Sequence, residues 1–132
     1  MTILIRRAEL NDTGTLAEMN DRLVADQGSQ NPFTIHELEA RFRDWLQTGS
    51  WQVDLILEGQ RIVGYAVYQS RADYYYPDQP VVYIRQFYIE RTERGRGVGR
   101  AAFHALVETR FPKGQALALD VVATNQAGYA FW

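Results

Sequence analysis

The chain of 132 residues is long enough for one domain with its own core, and its 46% hydrophobic and 23% charged content is ordinary for a globular protein. A formal net charge of -2 lacks the basic excess of a general nucleic-acid or membrane-surface binder, and the absence of cysteine excludes disulfides, zinc–thiolate sites and thiol catalysis. The N-terminal residues show no charged-then-apolar export pattern and no apolar run approaches a membrane span, so a cytoplasmic protein without nucleic-acid, membrane or metal partners is expected.

Residues 3–7 are apolar and β-branched and read as a strand. Asn11 or Asp12 can cap a helix whose apolar positions Leu16, Met19, Leu23 and Val24 follow helical spacing until Gly28 and Pro32 break it. The next helix opens on a capping box, Thr34 with Glu37, with Phe33 and Leu38 placed as a hydrophobic staple. Its inner stripe is Ile35, Leu38, Phe42, Trp45 and Leu46, and Gly49 ends it. Residues 51–58 and 61–69 are strand-like runs joined at Gly59-Gln60, a two-residue hairpin signal. After a looser stretch, 71–80, residues 81–89 form a third strand of this group. A glycine-rich loop then opens a helix, 97–110, stopped by Pro112. Residues 116–122 are almost continuously apolar, as in a strand buried on both faces. Thr124-Asn125 caps a last helix that reaches Trp132.

The order β-α-α-β-β-β-α-β-α contains one evident crossover, from strand 81–89 through the helix to strand 116–122, which should pair in parallel. Hairpin connections make the earlier strands antiparallel. The expected fold is α+β, a three-layer α/β/α sandwich around a mixed, mostly antiparallel sheet, forming a single domain over 1–132.

The run Arg94-Gly95-Arg96-Gly97-Val98-Gly99-Arg100 lies between a strand and a helix. Glycines let the backbone approach a ligand closely, and the helix start turns free N–H groups and the positive end of its dipole to the same space. Arg85, Arg91, Arg94, Arg96 and Arg100 concentrate basic charge there, so a phosphate-bearing ligand is expected. A P-loop is excluded, because no Gly-Lys-Ser/Thr ends the loop. Gly97-Val98-Gly99-Arg100-Ala101-Ala102 also fits a dinucleotide fingerprint, with Asp120 at a suitable distance. Yet that fingerprint opens a parallel βαβαβ unit, whereas hairpins precede this loop.

Arg94-x-x-Gly97-x-Gly99, after a strand and opening a helix, resembles the acyl-CoA pyrophosphate loop of the GNAT superfamily of N-acetyltransferases. Asn125, the small residue Gly128, and Phe131-Trp132 are similar to that family's following segment, and the element order agrees along essentially the whole chain. The resemblance implies an acetyl-CoA-dependent transfer of acetyl to a primary amine of a small molecule or peptide by direct attack. It implies that the backbone of residues 95–100, including Val98, cradles the pyrophosphate beside Arg94, Arg96 and Arg100. It places Phe87, Tyr88 and Ile89 along the pantetheine arm, at a bulge that splays strand 81–89 from 116–122, and gives Asn125 a hydrogen bond to that arm.

Two departures bear on catalysis. The family's usual acid is a tyrosine where this chain has Trp132, whose indole is too weak an acid for a thiolate, so Tyr129 and Tyr88 stand as substitutes. The carboxylate often found on the central strand is absent, leaving a water held by Gln86 or Tyr83 as the base. Family members also continue past this point with further strands, so a C-terminally incomplete domain is expected. A different class, a non-catalytic acyl-CoA sensor, is compatible with both departures, and a homodimer is left open.

Other residues read more simply. Arg85 either pairs with a carboxylate such as Asp120 or meets the substrate, and Asp120 itself is a buried charge needing a partner. His36 and His104 lie on helix faces as solvated or packed side chains, and Trp45 and Trp51 are core. The Tyr74-Tyr75-Tyr76 run packs the hairpin or borders the acceptor site. The acidic net charge leans toward a cationic amine.

Overall fold

The computed structural model describes residues 1–28, 32–72, 75–111 and 116–119. Ten elements follow in order: β1 (Ile3–Arg7), a 3-10 turn (Leu10–Asp12), α1 (Thr13–Asp26), α2 (Ile35–Thr48), β2 (Gln52–Glu58), β3 (Arg61–Arg71), β4 (Val81–Ile89), a second 3-10 turn (Arg91–Glu93), α3 (Val98–Thr109) and β5 (Ala116–Leu119).

The sheet has the strand order β1-β2-β3-β4-β5 among the described residues. Its first four strands form an antiparallel meander, and β5 pairs with β4 in parallel from Val81 opposite Ala116 to Ile84 opposite Leu119. Gly59, at a φ of 63°, makes the two-residue hairpin loop between β2 and β3. The expected mixed sheet with one crossover is the observed fold.

Alternation along the strands builds two cores. On one face, Val53, Leu55, Tyr65, Val67 and Tyr88 pack under Leu16, Met19 and Leu23 of α1 and Phe42 and Trp45 of α2. On the other, Ile56, Val63, Ile84 and Ile89 meet Val98, Ala102 and Leu106 of α3. Helices therefore cover both faces.

The start of α2 matches its sequence signal: Thr34 Oγ1 accepts from the Glu37 N–H, and the Glu37 side chain accepts from the Thr34 N–H. Gly49 closes the helix in the left-handed region, with its N–H donating to the Trp45 carbonyl. The inner stripe is narrower than expected. Ile35 is 40% exposed, and Phe33 is 45% exposed beneath the Arg41 guanidinium. Asp12 precedes α1 without capping it; its carboxylate instead accepts from the Glu9 N–H and pairs with Arg6.

β5 also departs from expectation. Ala116 is exposed and Leu117 is 38% exposed, so its described part is not buried on both faces. Its place at the end of the described strand order accounts for this, since nothing described flanks its far edge. Pro112, residues 120–122 and the expected last helix lie outside the described residues.

Candidate acyl-CoA and acceptor sites

The glycine loop follows the second 3-10 turn directly. Gly95 and Gly97 hold φ values of 82° and 79°, a conformation that costs an L side chain roughly 1–2 kcal/mol. A Cβ at either would meet no atom within 4 Å, so the space before the loop is open. Gly97 is the N-cap of α3 and offers no side chain to its first turn. Among the described residues no hydrogen bond runs from the N–H of Gly95, Arg96, Gly97, Val98, Gly99 or Arg100; the first such bond is Ala101 N–H to the Gly97 carbonyl. Six consecutive unpaired donors stand at the positive end of α3, a geometry suited to an anion, whereas the first turn of α2 is closed by its own capping box.

The loop's arginines are mostly committed elsewhere. Arg94 donates through Nε to the Ile89 carbonyl at 2.9 Å and through Nη2 to Asp26, and its guanidinium lies 5.5 Å from the Tyr88 ring centroid. Arg91 pairs with the same Asp26 at the end of α1. Asp26 is partly buried, which alone would raise its carboxyl, but hydrogen bonds from Arg94 and Arg91 hold it below the ordinary value. Arg96 lies 3.3 Å from both Glu58 and the buried Glu93, which also pairs with Arg61. Arg100, by contrast, has no carboxylate partner among the described residues, and it is exposed on the first turn of α3.

β4 carries the second half of the site. Its register against β3 shifts so that Gln86 faces Val67 and Ile84 faces Tyr68, leaving Arg85 as a bulged residue. The bulge lies at Arg85 in the pairing with β3, not at Phe87–Ile89 where one was expected, and it has a consequence for side-chain direction. Ile84, Phe87 and Ile89 point toward α3, while Arg85 and Gln86 in succession share the face of α1 and α2 with Tyr88.

Gln86 belongs to a buried polar network. Its Oε1 accepts from the Tyr65 hydroxyl at 2.9 Å and its Nε2 donates to Asn20 Oδ1 at 3.4 Å, an oxygen that also accepts from Arg41 at 2.7 Å. Asn20 is fully buried, and its Nδ2 and the Arg41 Nε find no acceptor. Burial pushes the Tyr65 phenol well above its ordinary value. Burial and the neighbouring Arg85 charge pull Arg41 below the ordinary guanidinium value.

Tyr88 donates its phenolic hydrogen to Glu90 at 2.6 Å, and Arg22 closes the far side of that carboxylate at 3.0 Å. Burial and this hydrogen bond push the Tyr88 phenol up to about 12. Tyr83 stacks at 6.0 Å from Trp51 and under Arg71 at 4.2 Å. Arg85 lies over Trp45 and Trp51 at 4.9 and 5.1 Å and has no carboxylate partner among the described residues, while its expected partner Asp120 lies outside them. Trp45 is buried as expected and Trp51 is half-buried. Tyr75 and Tyr76 are 80% and 65% exposed, and His36 and His104 are exposed. Asn125, Tyr129, Trp132, Asp120 and Tyr74 lie outside the described residues.

With that geometry in place, the comparisons with known proteins are decisive about family. The model of the acetyltransferase (GNAT) family matches residues 16–132. The chain belongs to the GNAT acetyltransferase family. A predicted acetyltransferase from Clostridium acetobutylicum, solved with acetyl-CoA, superposes with a TM-score of 0.73 at 20% identity, covering 98% of this chain and 88% of that one. An aminoglycoside N-acetyltransferase in complex with CoA gives 0.75 at 18% identity over 98% and 84% of the two chains. A ribosomal-protein-alanine N-acetyltransferase from Brucella melitensis gives 0.76 at 14% identity over 99% and 88%. No functionally curated protein sequence matches the chain. Family membership sets aside the dinucleotide reading of residues 97–102, in keeping with the antiparallel meander that precedes them.

Asp26, Asn20, Arg41 and Arg71 escaped the sequence reading. Two of them carried a signal. Asn20 sits one helical turn from Leu16 on the apolar stripe of α1, where a polar side chain needs a partner. Asp26 puts negative charge in the last turn of a helix, where the dipole disfavours it.

Proposed function

We propose that this GNAT protein is a single-domain cytoplasmic N-acetyltransferase that moves an acetyl group from acetyl-CoA to a primary amine of a small molecule or peptide. The observation that carries the reading is the row of six unpaired N–H donors at residues 95–100, with open space before Gly95 and Gly97. Its chemistry fits a pyrophosphate, whose oxygens accept several N–H bonds and gain from the helix dipole.

Acetyl-CoA supplies an activated thioester, open to direct attack by a neutral amine. The N–H groups of Gly95, Arg96, Gly97, Val98, Gly99 and Arg100 hold the pyrophosphate, with the Arg100 side chain adding charge. Arg94 works chiefly by joining the end of β4 to the end of α1, which keeps the loop in place. The β4 backbone at Phe87, Tyr88 and Ile89 runs beside the pantetheine arm, and Asn125 donates to it.

A water held by Gln86 or Tyr83 takes the ammonium proton, because no carboxylate stands on that stretch of β4. Tyr88, its hydrogen already given to Glu90 and its phenol raised, orients the strand end and leaves Tyr129 as the acid for the departing thiolate. The amine acceptors named for two neighbours, an aminoglycoside and a ribosomal-protein alanine, support nitrogen as the nucleophile.

A thiol-release assay with acetyl-CoA and an amine panel tests the reading, alongside calorimetric titration of acetyl-CoA. Release dependent on an amine is expected. Tight acetyl-CoA binding without release for any amine would reassign the chain as an acyl-CoA sensor.

A further inference from the structure

Thirteen arginines stand in the chain, and nine of them pair with a carboxylate: Arg6, Arg7, Arg22, Arg43, Arg61, Arg91, Arg94, Arg96 and Arg110. The exceptions among the described residues are Arg100 at the loop and the trio Arg41, Arg71 and Arg85. Those three converge on the face of β4 that carries Gln86. Arg41 and Arg85 lie over Trp45 at 4.8 and 4.9 Å, while Arg85 and Arg71 lie over Trp51 at 5.1 and 5.5 Å. Trp45 and Trp51 are themselves 6.1 Å apart, so the three cations share one aromatic surface.

Stacking holds a guanidinium by its flat face and leaves in-plane N–H groups to bind an anion; here Arg71 gives its Nε to Gln69 Oε1 and Arg41 gives Nη2 to Asn20, so the remaining donors are the ones to meet it. The bulge at Arg85 adds that residue to the same face as Gln86. At the inner end of the surface, the buried Asn20 Nδ2 and Arg41 Nε are donors without acceptors. Asn20 Oδ1 already accepts from Arg41 and Gln86, so the amide cannot turn over to satisfy them. Three cations brought together with no acid beside them among the described residues, next to unsatisfied donors, are a costly arrangement that an anion relieves.

We infer that the acceptor amine carries an anionic group, a carboxylate or phosphate, bound by Arg85 and Arg71 with Arg41 behind them. The inference rests on the transferase reading above and names its acceptor class. It reverses the cationic acceptor to which the net charge leans. The rise of about 3.3 Å per strand residue separates Gln86 from the level of Tyr83 and Arg71 by roughly 10 Å, so amine and anion stand several bonds apart.

The test compares 6-aminohexanoate and 6-aminohexyl phosphate with the neutral 6-aminohexanamide and the cationic 1,6-diaminohexane, whose amines have similar basicity. One or both anionic acceptors should exceed the others in kcat/KM by about tenfold, through KM. The more active of the two tells carboxylate from phosphate. Arg85→Gln and the Arg71→Gln/Arg85→Gln pair should erase that advantage, with the KM for acetyl-CoA unchanged and Arg85→Lys restoring part of it. Preference for the amide or diamine, or an advantage that survives the double variant, overturns the inference and leaves the transferase standing.

Should none of the four turn over, calorimetry of the CoA complex decides. Binding of the anionic compounds to wild type and not to the double variant supports the inference, and binding of neither overturns it. Failure of acetyl-CoA itself to bind defeats the transferase reading instead.

Discussion

Two groups of arginines divide the molecule. Around the glycine loop, Arg91, Arg94 and Arg96 are each held by Asp26, Glu58 or Glu93. On the face between α2 and β4, Arg41, Arg71 and Arg85 rest on tryptophan and tyrosine rings and meet no acid among the described residues. Density of basic residues along the sequence therefore misplaces the free positive charge. Of the five arginines crowded at 85–100, carboxylates of α1, β2 and the second 3-10 turn hold three, and the loop among them presents unpaired backbone N–H groups. Arg41, Arg71 and Arg85, further apart in sequence, are gathered by the fold with no acid beside them among the described residues.

The largest test acts on the backbone side of that contrast. Gly97→Glu sets a carboxylate against the six free donors and forces a side chain into the left-handed region. Its affinity for acetyl-CoA should fall by at least about 100-fold by calorimetry. Near wild-type affinity would remove the loop from the donor site.

Asp26→Ala should act on stability, because it leaves Arg91 and Arg94 unpaired and unties α1 from the end of β4. With both arginines substantially exposed, the expected loss in urea unfolding is about 1 kcal/mol. No change would mean that the neutralising pairs are ornamental. Within the loop, Arg100→Gln should weaken acetyl-CoA about threefold, and Arg96→Gln less, since only Arg100 is free to meet a phosphate. Equal effects would dissolve the distinction between held and free arginines.

The smallest effect is a shift with acid. The Asp26 carboxyl is depressed in the folded state below its ordinary 3.8, so its contribution is complete above that pH and is lost as the pH falls below it. Asp26→Asn should flatten the stability profile in that acid window and leave its slope unchanged near neutral pH. An identical acid limb in the variant would place the titration elsewhere, with Glu93, lowered chiefly by its hydrogen bond from Arg61, as the next group to replace.

Much was legible because it is local. The capping box of Thr34 and Glu37, the hairpin at Gly59-Gln60, the limits of β4 and the glycine loop all depend on residues within a few positions of one another. The family resemblance rests on the same contiguous loop. The edges of Ile35 and Leu117 were misjudged because hydrophobic periodicity reports that a face is apolar, not whether anything covers it.

The sequence by itself determined the order of the described elements, the mixed sheet and the place of the glycine loop, since each follows from short-range backbone preferences. Only the tertiary structure decided which charges are free. Asp26 lies 68 residues from Arg94, Arg22 lies 68 from Glu90, and Asn20 lies 66 from Gln86. No spacing rule connects such pairs. The bulge that turns Arg85 and Gln86 to one face is likewise a property of strand register. Electrostatic potential depends on distance through space, and distance through space is what folding sets.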